Sequence, residues 1–335
     1  MKYYFYYLCL SMCLSLSISA PIKPPHLKVG DKVALVQVGY AVSADKVHQA
    51  MLRVKAFGLE PVISDDVYQQ YLWFAGSDAS RAKEVNNAFL NPEIKAVFEI
   101  AGGYGAMRVL PLIDYSAIKA HPKVVMGYSD DTALLNAIFT KANLITFYGP
   151  MFGFTVPKSS ANMMKSILFE GEVANYENIQ IIDDSDLIPL KKEITTIHGG
   201  HAEGVLVGGN LSIIQSLLAT QYMISDWHGK ILFVEDVGED LYRIDRMLTQ
   251  LELAGVLDQI SGFIFGTCEQ CHSNRASGLA LDDILADHFK NRKIPVISGL
   301  LFGHQPKTYT IPIGVRAKLD ADKKVLSLIE SAVSK

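Results

Sequence analysis

Val124-Val125-Met126-Gly127-Tyr128-Ser129-Asp130-Asp131-Thr132-Ala133-Leu134-Leu135 reads as a buried strand, a tight turn and the start of a helix. Val-Val-Met is an apolar run of strand type, Gly127 breaks it, and Asp130, Asp131 and Thr132 suit a helix N-terminus. Ala133, Leu134, Ala137 and Ile138 then recur at helical spacing. A serine on such a turn is pushed out of the sheet to the positive end of a helix dipole, beside backbone N–H donors. The spacing is Gly-x-Ser-x-Asp, not the full Gly-x-Ser-x-Gly elbow. On this stretch alone Ser129 reads equally as an exposed nucleophile or as a helix N-cap.

Outward from this turn, strand and helix alternate. Before it lie apolar runs at 31–38, 61–63 and 96–100, separated by helical patterns at 44–57 and from Ser77 or Ser80 to about 90. After it comes a strand at 144–148. The alternation predicts a parallel α/β sheet with helices on both faces. From about 171 to 204 the pattern weakens into a connection, acidic at Asp183-Asp184-Ser185-Asp186 and basic at Lys191-Lys192, with irregular or antiparallel strands. A second unit starts near 205, with strands at 205–207, 231–234 and 263–265 and helices after Asn210, at 242–254 and around 279–291. The expected layout is therefore residues 27–170 as an N-terminal domain, 171–204 as the connection and 205–335 as a C-terminal β/α domain.

With 335 residues, 49% hydrophobic content and a net charge of −4, the chain has the composition of a two-domain globular protein. It carries no Arg-rich run or basic stripe, so nucleic acid is not an expected partner. Residues 1–20 begin with Lys2, continue through an apolar and hydroxylic run and end in small residues. That is the pattern of a secretory leader, short of the ~20 apolar residues of a membrane span and followed by no stop-transfer cluster. A periplasmic or secreted protein with no stable membrane span is expected. Without Cys9 and Cys13 of that leader, Cys268 and Cys271 remain, too few for a disulfide scaffold.

Three further places carry chemical promise. Glu235 and Asp236 end the apolar strand Ile231-Leu232-Phe233-Val234, at the strand end where ligands gather in open α/β sheets, though they also read as a solvated acidic turn. His304 sits in the Gly/Pro-bounded loop Phe302-Gly303-His304-Gln305-Pro306. Ser129, His304 and a carboxylate make a Ser–His–Glu set, in which the histidine takes the hydroxyl proton and the carboxylate orients the ring. Gly102-Gly103-Tyr104-Gly105 departs from a dinucleotide turn because Arg108 fills the last glycine position; its glycines would let backbone N–H groups approach an oxyanion. Cys268-Glu269-Gln270-Cys271-His272 matches the c-type haem attachment spacing, yet it lies inside a continuous α/β pattern, where a local disulfide or two free thiols fits better. His198-Gly199-Gly200-His201 lacks a third metal ligand at useful spacing and reads as loop.

Together, these segments resemble the LD-carboxypeptidase family of serine peptidases, whose founding activity is muramoyl-tetrapeptide carboxypeptidase and which includes microcin C self-immunity proteins. The matching blocks are residues 101–108, 127–133, 208–212, 235–248 and 302–304, with Ile311-Pro312-Ile313-Gly314 downstream. The resemblance implies an N-terminal flavodoxin-like, amidotransferase-like parallel-sheet domain and a C-terminal β/α domain, with the active site at their interface. It implies Ser129 as nucleophile, His304 as general base, Glu235 as its partner, and the backbone N–H groups of Asp130 and Gly103 as oxyanion donors. It implies release of C-terminal D-Ala from peptidoglycan tetrapeptides, with no metal and no other cofactor. Tyr104 and Arg108 are the candidates for substrate contacts, Arg108 or a backbone amide holding the terminal carboxylate. Hydrolysis of peptidyl or aminoacyl nucleotides, as in the immunity proteins, is the alternative within the class. A wall-peptide binding protein with a dead site, and a haem protein, are alternatives outside it. Monomer or homodimer is left open.

Overall fold

A computed structural model describes residues 20–177, 193–273 and 278–335. The leader-like segment up to residue 19 and the acidic-to-basic run at 183–192 lie outside the described residues. In chain order the strands are β1 (Lys32–Val36), β2 (Glu60–Val62), β3 (Ile94–Glu99), β4 (Val124–Gly127), β5 (Thr146–Tyr148), β6 (Asn175–Tyr176), β7 (Thr195–His198), β8 (His201–Asn210), β9 (Lys230–Val237), β10 (Gly262–Glu269), β11 (Val296–Ser298), β12 (Ile311–Ile313), β13 (Arg316–Asp320) and β14 (Val325–Leu328).

They form two sheets. The first runs β12-β5-β4-β3-β1-β2, and the second β6-β14-β13-β8-β9-β10-β11-β7. The first is parallel from β5 to β2, and the second is parallel from β8 to β11 with antiparallel strands at both margins. This is the mixed α/β class that the alternating pattern predicts. The apolar runs become central strands because both faces are covered: β4 is buried throughout, and Phe98, Phe147, Phe233, Phe263 and Phe265 are fully buried. Each such side chain contributes roughly 1.5–3 kcal/mol of burial.

The helices begin and end where side chains dictate. Ser43 accepts a hydrogen bond from Lys46 N–H (3.2 Å) and caps Ala44–Phe57, and Gly58 ends that helix in the left-handed conformation. Of the two candidate serines for the next helix, Ser77 is the cap and Ser80 N–H is its donor (3.1 Å). Asn210 and Asp240 cap the helices Leu211–Leu217 and Leu241–Leu253.

One strand does not follow the order of the chain. β12 lies between two segments of the second sheet in sequence, yet pairs antiparallel with β5 of the first (Pro312 opposite Phe147). Pro312 cannot donate to a ladder, and β12 is an edge strand, where that loss is tolerated. The stretch read as a connection also contributes: β6 pairs with β14 and β7 with β11, so both belong to the second sheet.

Candidate active site

One residue, Tyr128, separates β4 from Ser129, which opens a short 3-10 turn, Ser129–Asp131, that leads into the helix Thr132–Ala142. Its φ is +62°, a left-handed conformation that a β-carbon disfavours. The turn thus throws Oγ forward instead of folding it back as a cap, and no side-chain capping bond is made here. Of the two readings of this serine, the geometry favours the exposed hydroxyl.

Glu235 is delivered by β9 and His304 by the loop between β11 and β12. His304 Nδ1 lies 2.8 Å from Glu235 Oε2, and His304 Nε2 lies 2.9 Å from Ser129 Oγ. A carboxylate only accepts, so Nδ1 carries the proton and Nε2 is left as the acceptor for the serine hydroxyl. Burial opposes charging of the His304 ring. The hydrogen bond and charge of Glu235, with lesser pulls from Asp236 and Glu269, outweigh it, and the pKa is raised above its ordinary value. An imidazole placed and biased in this way can take a proton from Ser129 and hold it. Tyr128 packs edge-on against the His304 ring at 5.1 Å between centroids and fixes its plane. Gly303 has φ +106°, and a β-carbon there would overlap the Glu235 carboxylate, so glycine is what allows the loop to pass.

Two supporting residues have no role in the sequence reading. Tyr148, on β5, accepts from Ser129 N–H (3.0 Å) and donates to Glu235 Oε1 (2.6 Å), bridging the serine turn and the carboxylate. Burial and the nearby Glu235 charge push its pKa far up, so the hydroxyl stays a donor. Asn210 donates to Glu235 Oε1 (3.2 Å) and Asp236 Oδ1 (3.1 Å), while its own N–H is taken by Thr132 Oγ1 (2.9 Å). The available signal was a polar tip on a buried apolar strand, which nearly always has a partner.

The Gly102-Gly103 turn runs against the serine: a β-carbon on Gly102 would stand 3.1 Å from Ser129 Cβ and 3.4 Å from Oγ. The Asp130 carboxyl ties this turn down, Oδ2 accepting from Ala106 N–H at 2.7 Å. Burial raises the Asp130 pKa to about 6, against the pull of the Ala106 and Gly105 N–H groups and Arg81. Burial, then neighbouring acids, raises Glu99 and Asp131 well above the carboxylate range.

A cavity of about 350 Å³ opens in front of Ser129, lined by Tyr40, Lys46, Gly102, Gly103, Tyr128, Met151, Phe154 and His304 among others. Tyr104 and Arg108 are not part of this lining. Arg108 is taken by Asp78, Nη2 to Oδ2 at 2.8 Å and Nε to Oδ1 at 3.1 Å, and stacks over Phe74. Tyr104 is half-exposed beside Phe74. Arg108 thus lies outside this cavity, on a carboxylate it shares with Arg81, and the basic side chain that lines the cavity is Lys46. A larger cavity, about 640 Å³, lies at the end of β10 beside Cys268 and Cys271, but neither Ser129 nor His304 lines it. Those two cysteines are joined in a disulfide, which leaves no thiol for haem attachment. His198 and His201 flank the β7–β8 turn.

A two-sheet α/β fold with a Ser–His–Glu chain across its interface defines a serine hydrolase. Comparison with known proteins narrows the class. The LD-carboxypeptidase N-terminal domain matches residues 33–149, and the LD-carboxypeptidase C-terminal domain matches residues 203–319. The chain is 33% identical to the probable murein peptide carboxypeptidase of Bacillus subtilis, over 93% of this chain and 95% of that protein. Its fold is similar to that of the microcin C7 self-immunity protein MccF, at TM-score 0.84 and 28% identity over 94% of this chain and 100% of that one. It is also similar to the muramoyltetrapeptide carboxypeptidase from Oxalobacter formigenes, at TM-score 0.76 and 27% identity over 89% and 97%. The protein belongs to the LD-carboxypeptidase family and is a serine carboxypeptidase.

Proposed function

We propose that this enzyme releases the C-terminal D-Ala from peptidoglycan tetrapeptides by cleaving the bond between the L-centre of the diamino acid and D-Ala. The observation that carries the reading is His304, hydrogen-bonded at once to Ser129 Oγ and Glu235 Oε2. Ser129 Oγ attacks the carbonyl carbon as His304 Nε2 takes its proton. The N–H groups of Asp130 and Gly103 receive the oxyanion, and Glu235 steadies the imidazolium. His304 then gives the proton to the departing D-Ala amine, leaving the tripeptide acylated on Ser129. Water, deprotonated by the same imidazole, frees the tripeptide and restores the serine. No step calls for a metal.

The leader pattern of residues 1–20 supports action outside the cytoplasmic membrane, and no helix among the described residues is long and apolar enough to cross one. We read the chain as an N-terminal unit bearing Ser129 and a C-terminal unit bearing Glu235 and His304. Mass spectrometry of purified muropeptides before and after incubation tests the function. Tetrapeptide should lose one alanine, and Ser129→Ala should stop the loss with folding intact; full activity in that variant refutes the triad. The similarity to MccF over the whole of that chain favours one second reading, hydrolysis of an aminoacyl sulfamoyl adenosine. Turnover of that compound with no action on tetrapeptide would select it.

A further inference from the structure

A carboxypeptidase must recognise the free carboxylate of the residue it removes; otherwise it would cut internal bonds as readily. The leaving amine takes its proton from His304 Nε2, and the carboxylate is two bonds from that amine. It must therefore lie in the cavity that Ser129 and His304 share.

Lys46 lines that same cavity. It is the third residue of the helix Ala44–Phe57, and its backbone N–H is held by Ser43 Oγ, so its stem starts from a fixed point. Its Nζ rests over the Phe154 ring, 4.0 Å from the centroid. Elsewhere on this domain Lys32 pairs with Glu93, and Arg81 and Arg108 both pair with Asp78, while Arg53, Lys95 and Lys123 reach backbone carbonyls. Lys46 makes no ion pair with any described residue. A cation resting on a half-exposed ring holds a weaker partner than a carboxylate, which accepts charge-assisted hydrogen bonds. A carboxylate entering the cavity would draw Nζ off the ring, while Phe154 and Met151 cover the small apolar side chain beside it.

Resting on the carboxypeptidase reading above, we infer that Lys46 binds the terminal carboxylate of the leaving residue and sets the enzyme's preference for chain ends. The test compares a tetrapeptide ending in free D-Ala with the same peptide ending in D-Ala amide. The native enzyme should prefer the acid. In Lys46→Met, kcat/KM on the acid should fall by about 10- to 100-fold, the loss of one charge-assisted hydrogen bond. The fall should lie mainly in KM, and the acid-over-amide preference should approach one. Lys46→Arg, which keeps the charge, should restore most of it. A Lys46→Met enzyme that keeps the native preference overturns the inference and leaves the carboxypeptidase reading standing. Native protein that releases neither D-Ala from the acid nor D-Ala amide from the amide overturns both.

Discussion

Replacing Glu235 by Gln changes one atom's chemistry and almost nothing of the shape, yet it should nearly abolish turnover. Glu235 is fully buried and receives three donors: Tyr148 and Asn210 on Oε1 and His304 Nδ1 on Oε2. Glutamine offers one acceptor oxygen and one amide donor. If its oxygen stays with Tyr148 and Asn210, its NH₂ faces His304 Nδ1. That nitrogen must then accept, and the ring proton moves to Nε2, opposite Ser129 Oγ. An imidazole in that tautomer cannot take the serine proton. Wrong-tautomer substitutions of this kind lower turnover by about 10⁴-fold, or roughly 5.5 kcal/mol of transition-state stabilisation. The pH profile gives a second reading. The base works when neutral, so activity is lost as pH falls through its pKa. In the native enzyme that pKa is raised from 6.5, because the Glu235 bond and charge outweigh burial. The acid limb of kcat/KM should therefore lie above this value, and in Glu235→Gln it should move to lower pH as burial comes to dominate. D-Ala release measured by chromatography from about pH 5 to about pH 10 reads both effects. A variant within tenfold of native turnover, or an acid limb that does not move, would refute the tautomer argument.

Substitutions at two further positions probe the scaffold. Ser129→Gly and Ser129→Ala should both be inactive, but the glycine variant should be more stable by about 0.5–1 kcal/mol in urea unfolding. Relief of the left-handed strain at φ +62°, roughly 1–2 kcal/mol, exceeds glycine's entropic cost of about 0.5–1 kcal/mol; a glycine variant less stable than the alanine one would contradict a strained turn. Tyr148→Phe leaves Ser129 N–H without its acceptor and Glu235 Oε1 with Asn210 alone. It should cost roughly 2–4 kcal/mol of stability and about 10- to 100-fold in kcat; a native melting curve with native kcat would remove Tyr148 from the support of the site.

The fold class was legible because its signal is local. Apolar runs such as 124–126 and 231–234, with Ser43, Ser77 and Asn210 before helical patterns, carry their structure in neighbouring residues. The serine, glutamate and histidine were legible only as members of ordered blocks, since each alone has an ordinary structural explanation. What stayed hidden depends on contacts distant in sequence. Nothing near Ser129 reveals that Tyr148 will accept its N–H, nor that Arg108 will pair with Asp78 while Lys46 lines the cavity. Two basic side chains of similar reach are equivalent on paper until their partners are known. The Cys268–Cys271 spacing fits haem attachment, free thiols or a disulfide, and only the side-chain geometry separates them.

The placement of β12 bears on how the site is held together. Tyr148 lies in the first sheet and Ser129 on the turn after its strand β4, while Asn210, Glu235 and the start of the His304 loop belong to the second. The loop leaves the second sheet at β11 (Val296–Ser298) and is anchored in the first at β12 (Ile311–Ile313), beside the strand that carries Tyr148. His304 is therefore on a span tied at both ends, with Gly303 N–H on Thr308 Oγ1 (3.0 Å) and Thr308 N–H on Ser160 Oγ (3.1 Å) bracing it between. The serine's own helix is fixed to the second sheet by Thr132 on Asn210 and by Asn136 Nδ2 on the Gly208 carbonyl (3.0 Å). Those bonds cross the same interface as the Ser129–His304 and Tyr148–Glu235 contacts. A histidine held in this way needs no loop closure to reach Ser129, and any loosening between the sheets would separate Ser129, His304 and Glu235 together. The cooperativity expected of the triad is thus built into the docking of the two sheets, with the β12–β5 pairing holding the histidine's distance to the serine.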